Sequence, residues 1–67
     1  MKWIEVERSG RNNLVFSLEH LKRAYLDSSN DLILIFSDTS IDCGKVSWEF
    51  FTAALDSPKQ YVIVRRG

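Results

Sequence analysis

Two short runs of strand-forming residues are apolar along their whole length, and they constrain the fold of this chain most. They are residues 32–36 (Leu-Ile-Leu-Ile-Phe) and residues 61–64 (Tyr-Val-Ile-Val). A strand without a polar face is normally covered on both sides in a folded protein. Because a chain of 67 residues has room for one core, we expect a single domain over residues 1–67 that contains both strands.

Alternating apolar and polar residues predict two further strands near the N-terminus. Ile4 and Val6 alternate with carboxylates, which is typical of a strand with one buried and one solvated face. Trp3 lies on the carboxylate side of this strand. Turn-forming residues at 9–13 then predict a hairpin that leads into a second strand over residues 14–17.

Residues 18–26 allow two interpretations. We favour a short second helix from Leu18 to Leu26, with Ser17 as its N-cap. The alternative is one continuous helix over residues 14–26, because apolar side chains recur along that segment at helical spacing. These side chains are Leu14, Leu18, Leu21 and Tyr25.

The clearest helical pattern covers residues 47–57, from Ser47 to Ser57. Ser47 is a suitable N-cap, and Glu49 lies in the first turn, where the helix dipole favours negative charge. Pro58 then ends the helix. An apolar stripe runs along one face, formed by Trp48, Phe51, Ala54 and Leu55.

The predicted fold class is α+β. We expect a small, mostly antiparallel β-sheet of about four to five strands, including a short strand at residues 41–43, with the helix at 47–57. One clear helix and one short helix cannot cover both faces of two apolar strands. We therefore expect a homo-oligomer, with a dimer favoured, whose interface includes Trp3, Ile33, Ile35, Tyr61 and Ile63.

The single cysteine and the absence of a long apolar segment bear on localisation. Cys43 has no partner for an intramolecular disulfide, which favours a reducing compartment. Carboxylates interrupt the N-terminal segment, and the longest apolar run, residues 32–36, is too short to span a bilayer. We expect a cytoplasmic protein that has no membrane segment.

The search for catalytic residues favours a protein that is not an enzyme. Cys43 and His20 are the candidate nucleophile and base, but they fall in different predicted elements and lack a surrounding motif. Residues 38–40 (Asp-Thr-Ser) resemble the Asp-Thr-Gly loop of dimeric aspartic proteases, with serine in place of the glycine. No cofactor or metal site is expected, because Asp27, Asp31, Asp38 and Asp42 lack the spacing of a calcium loop.

Charge patterning leaves two binding functions open. The leading hypothesis is a small non-enzymatic binding or regulatory protein that presents an oligomeric surface to a protein partner. The alternative is a small nucleic-acid-binding regulator that uses Lys22 and Arg23 together with Arg65 and Arg66. Nine basic and nine acidic residues cancel, so nucleic-acid binding would have to be local.

The order of these motifs resembles that of two bacterial families. Residues 18–21 (Leu-Glu-His-Leu), the turn at 38–40 and the helix with Phe-Phe at 50–51 resemble the small FlbD-like proteins of flagellar clusters. This resemblance covers nearly the whole chain and implies a small bacterial protein. From residue 21 onward, closing with residues 61–66 (Tyr-Val-Ile-Val-Arg-Arg), the chain is also similar to the second half of LytTR-type domains, which implies DNA binding.

Overall fold

The computed structural model of the protein describes residues 1–65, which contain six strands and one α-helix. In chain order these are β1 (Trp3–Val6), β2 (Leu14–Ser17), β3 (Arg23–Leu26), β4 (Leu32–Ile35), β5 (Ser40–Asp42), α1 (Trp48–Asp56) and β6 (Tyr61–Val64). A 3₁₀ turn, Leu18–His20, lies between β2 and β3. The fold is α+β, which confirms the predicted class.

The strands form two three-stranded sheets, where the sequence pattern predicts one sheet of four to five strands. In the first sheet the order is β2-β1-β6, with β1 antiparallel to β2 and parallel to β6. The second sheet, β3-β4-β5, is antiparallel throughout. A parallel pair needs a long connection, and here β2, the whole second sheet and α1 lie between β1 and β6 along the chain.

The predicted N-terminal hairpin is confirmed. Ile4 lies opposite Phe16 across β1 and β2, and Val6 lies opposite Leu14. Gly10 sits in the intervening turn with φ at 71°, a left-handed conformation that glycine adopts without steric cost. The apolar side chains of the alternating pattern therefore face the core.

The predicted helix from Leu18 to Leu26 is wrong. Only Leu18–His20 is helical, as a 3₁₀ turn, and Ser17 precedes it without a side-chain cap hydrogen bond. Arg23–Leu26 instead forms β3, which pairs antiparallel with β4. β4 is apolar and lies between β3 and β5, so pairing with β3 satisfies the backbone groups along one edge of β4. This pairing outweighs the helical spacing of the leucines.

Helix α1 follows its local signals closely. The Ser47 hydroxyl accepts a hydrogen bond from the Phe50 amide at 3.2 Å, as expected of an N-cap. At the other end, Lys2 Nζ donates to the carbonyl oxygens of Leu55, at 2.9 Å, and of Ser57. A cation at the negative end of the helix dipole ties α1 to the N-terminal segment.

One hydrophobic core joins both sheets and α1. Its most buried members come from every layer, and Phe51 of α1 is fully buried among them. The remaining members are Ile4, Val6, Phe16, Leu32, Leu34, Cys43, Val46, Ala54 and Val64. Within residues 1–65, no helical segment has the length and apolar content that a membrane-spanning helix requires.

Candidate functional site

The outer face of the first sheet exposes large aromatic and aliphatic side chains. Since Ile4, Val6 and Val64 point into the core, the alternate positions point outward. The exposed fractions are 41% for Trp3, 47% for Val15, 49% for Tyr61 and 41% for Ile63. Strand register places them around Glu5, and we call Trp3, Glu5, Val15, Tyr61 and Ile63 the first-sheet face.

Two hydrogen bonds hold the carboxylate of Glu5 at the centre of this face. The Tyr61 hydroxyl donates to Glu5 Oε1, and Asn13 Nδ2 donates to Glu5 Oε2 at 2.7 Å. The hydrogen bond from Tyr61 is the largest cause that lowers the pKa of Glu5, and the hydrogen bond from Asn13 is the second. The bond between Tyr61 and Glu5 also raises the pKa of Tyr61. The Tyr61 ring is thereby held in one orientation on the sheet.

An ion pair borders the first-sheet face where β6 ends. Arg65 Nη1 lies 2.8 Å from Glu7 Oε2, and both side chains are open to solvent to a substantial degree. A surface pair of this kind contributes little to stability, about 0–1 kcal/mol. Its effect here is to place the Arg65 guanidinium beside β1 and to offset its charge.

The second sheet has an outward face of its own. Register pairs Arg23 with Ile35 and Tyr25 with Ile33, and these four residues form the second-sheet face. Tyr25 is exposed, and the two isoleucines are half-buried. A cavity of ≈ 360 Å³ lies here, lined by Arg23, Ala24, Tyr25 and Ile35.

The five residues predicted for an interface therefore lie on two faces. Trp3, Tyr61 and Ile63 come together on the first sheet, whereas Ile33 and Ile35 lie on the second. Sequence reasoning missed Val15 and Tyr25, which are exposed on the same faces. The alternation of β2 would have identified Val15, but Tyr25 was assigned to a helix.

The two predicted basic clusters also belong to different sheets. Lys22 and Arg23 lie at the start of β3, and both are exposed. Arg65 follows β6 and pairs with Glu7. Arg66 lies outside the described residues. Among the described residues, the predicted basic clusters are therefore divided between the two sheets.

Cys43 and His20 line different cavities. Cys43 borders a cavity of ≈ 200 Å³ with Asp42, and His20 borders a cleft of ≈ 530 Å³ beside β2. Burial raises the pKa of the Cys43 thiol to about 11, so the thiol is protonated at neutral pH. The cleft also contains Ser17, 1% exposed, whose hydroxyl has no hydrogen-bond partner in the described chain. No base is therefore engaged with that hydroxyl.

Three carboxylates that are separated in sequence meet beside the second sheet. Asp27, Asp31 and Asp42 each offer an oxygen, and the three oxygens lie within 4.8 Å of one another. These carboxylates also have internal partners: Asp31 pairs with Lys45 at 2.7 Å, and Asp42 accepts from the Gly44 amide at 2.8 Å. Sequence spacing did not reveal this cluster, because the turn between β3 and β4 brings Asp27 to Asp31 and the pairing of β4 with β5 adds Asp42.

Comparison with known proteins yields no relative for this arrangement. No protein-family model, curated protein or solved structure matches the chain. The resemblance to FlbD-like proteins and LytTR-type domains stays a prediction.

Proposed function

We propose that this chain is a non-enzymatic binding or regulatory protein that self-associates and presents the assembled surface to a protein partner. The supporting observation is the first-sheet face, with two aromatic and two aliphatic side chains exposed around a hydrogen-bonded carboxylate. Tyrosine and tryptophan are enriched in protein interfaces and among the residues that dominate their binding energy. Large apolar side chains that are exposed together on one face are typical of an interaction site.

The first-sheet face and the second-sheet face allow two separate contacts with other protein molecules. If the first-sheet face and its edge bind a second copy, the second-sheet face with Tyr25, Ile33 and Ile35 stays available to a different protein. A dimer related by a two-fold axis presents two such faces at a fixed separation. This arrangement supports a role in bringing partner molecules together.

The groups with nucleophilic potential support a non-enzymatic role. The Cys43 thiol is protonated at neutral pH because burial raises its pKa to about 11, and it lies in a different cavity from His20. Nucleophilic catalysis requires an activated thiolate or a hydroxyl bonded to a base. The buried thiol also suits a reducing, cytoplasmic setting.

Solution mass tests the proposal. Sedimentation equilibrium across roughly 1–500 µM should show the average mass rising from that of the 7.8 kDa monomer toward twice that value. A strict monomer across this range contradicts the proposal.

Nucleic-acid binding through Lys22/Arg23 and Arg65/Arg66 remains the alternative function. In that case single-stranded DNA should be retained at low salt and released as salt rises, and Arg65→Ala with Arg66→Ala should abolish retention. Retention by the wild type that the double variant loses would favour the alternative over protein binding.

A further inference from the structure

The outer edge of β6 carries backbone groups that the first sheet does not pair. The carbonyl oxygens of Gln60 and Val64 accept from β1, from the amides of Trp3 at 2.7 Å and Glu7 at 2.9 Å. Because successive residues of a strand direct their N–H and C=O to opposite sides, those of Tyr61 and Ile63 point away from β1. In the sheet order of residues 1–65, β6 is an edge strand.

An apolar groove lies along the same edge. It has a volume of ≈ 310 Å³ and is lined by Phe50, Ala53, Ala54, Val62, Ile63 and Arg65. Phe50 projects from α1 with half of its surface exposed. An edge strand rich in β-branched residues and free of proline is a template for pairing with another chain.

The edges of the other described strands are less suited to pairing. β3 begins at Arg23, directly after Lys22, and β5 ends at Asp42. Charged side chains on an edge oppose strand addition. The open side of β2 shares a cleft with the turn after β4, which includes Asp38. β6 is the edge on which apolar side chains and open backbone groups coincide.

We propose that a second copy of this chain pairs antiparallel with β6 along this edge, with the two-fold axis at Ile63. The inference rests on the proposed self-association and specifies its geometry. The backbone N–H and C=O groups of residues 61, 63 and, by the same alternation, 65 point away from β1 toward the open edge. In the two-fold register Ile63 exchanges both hydrogen bonds with Ile63 of the second copy. The result is one six-stranded sheet.

Side chains in this register are complementary. Tyr61 lies opposite Arg65 of the second copy, so each aromatic ring meets a guanidinium on the same face of the sheet. Such cation–π contacts stabilise cross-strand pairs. The charge of Arg65 is already offset by its ion pair with Glu7, and Tyr61 is held in place by its hydrogen bond to the Glu5 carboxylate. The two Ile63 side chains meet at the centre.

Cysteine cross-linking tests the pairing. Opposed residues of a hydrogen-bonded antiparallel pair have Cα atoms about 5.5 Å apart, which is within the range of a disulfide. Ile63→Cys should form covalent dimers under mild oxidation at least about tenfold faster than Val15→Cys, which places a similarly exposed thiol on the opposite edge of the sheet. Native Cys43 is buried, and the wild type serves as the control for its reactivity.

A charge substitution gives an independent readout. Ile63→Glu should raise the dimer dissociation constant at least about tenfold, because it places two more carboxylates at the axis, beside those of Glu5 on the neighbouring strands, and a charged side chain on the edge. Tyr25→Glu, at an exposed position on the second-sheet face, should leave that constant within about twofold, and circular dichroism checks that both variants fold.

The outcomes separate the two proposals. A wild type that dimerises by mass while Ile63→Cys cross-links no faster than Val15→Cys overturns the β6 pairing and leaves self-association standing. A wild type that is monomeric throughout overturns both.

Discussion

At the scale of single residues, the contact between Glu5 and Tyr61 defines the candidate site. The two residues are 56 positions apart, and they meet because β1 and β6 are parallel neighbours. Glu5 is polar and central, whereas its neighbours on the first-sheet face are aromatic or aliphatic. Hydrogen bonds from Tyr61 and Asn13 satisfy its carboxylate, which lets a charged group lie among the apolar side chains of the first-sheet face.

Removing the Tyr61 hydroxyl should raise the pKa of Glu5. In the wild type this pKa lies below the usual value of 4.5, with the bond from Tyr61 as the largest cause. In Tyr61→Phe only the Asn13 bond remains, so the Glu5 carboxyl should titrate closer to 4.5 in an NMR pH titration. Tyr25→Phe, on the other sheet, is the matched control and should leave the pKa of Glu5 unchanged. An unchanged Glu5 titration in Tyr61→Phe would contradict the assigned bond.

The same pair predicts how stability depends on pH. The pKa of Glu5 is lowered by folding, so its contribution is fully present above about pH 4.5 and is lost as pH falls through the folded-state value. The pKa of Tyr61 is raised by folding, so its contribution is present below about pH 10 and is lost as pH rises through the folded-state value. Urea unfolding of wild type and Tyr61→Phe should converge at both extremes and differ most at neutral pH.

At the scale of elements, α1 shows how burial separates two adjacent identical residues. Phe51 is fully buried in the core, whereas Phe50 is half-exposed beside β6. Capping by Ser47 sets where the helix begins and therefore which of the two phenylalanines faces inward. The predicted helix and its observed bounds agree because cap, stripe and terminating proline are all local signals.

Phe51→Ala should destabilise the protein far more than Phe50→Ala. Truncating a fully buried phenylalanine costs about 3–5 kcal/mol, through lost burial and the cavity left behind. Truncating the exposed Phe50 should cost about 1 kcal/mol or less. Chemical denaturation at low micromolar concentration measures both. Equal losses would contradict the placement of Phe51 in the core.

Lys2→Met should weaken the tie between α1 and the N-terminus. Lys2 donates to two carbonyl oxygens near the C-terminal end of the helix. Removing a cation at this position should lower the free energy of unfolding by about 0.3–1 kcal/mol. Lys59→Met removes an exposed lysine just after the helix and is the matched control. A larger loss in the control variant would contradict this role for Lys2.

At the scale of the whole molecule, the two sheets share one core and direct separate faces to solvent. The first-sheet face ends at the open edge of β6, and the second-sheet face surrounds Tyr25. Among residues 1–65, the core side of each sheet is covered by the other sheet and by α1. The apolar surplus of the sequence therefore appears on the outward faces, where association can bury it.

Hydrogen exchange should report the pairing of β6 directly. The amide of Val64 points toward β1 and should be protected at every protein concentration. The amide of Ile63 points to the open edge and should become protected only as concentration rises and the dimer forms. Protection of Ile63 that does not depend on concentration would contradict pairing with a second copy.

The features that depend on local pattern could be predicted from the amino-acid sequence. Alternation at Ile4 and Val6 predicted β1 and its buried face, and the turn-forming residues at 9–13 predicted the hairpin to β2. Ser47 and Pro58 predicted the ends of α1. These predictions are correct because each depends on a few neighbouring residues, whose backbone preferences and periodic burial determine the local structure.

The pairing of distant segments could not be predicted in this way and is seen in the folded structure. It made Arg23–Leu26 a strand against β4, divided six strands between two sheets, and joined β1 to β6. It also brought Tyr61 to Glu5. The physical reason is that a periodic pattern reports whether a face is buried and not what buries it. The choice of partner follows from how the whole chain satisfies its backbone hydrogen bonds and fills one core.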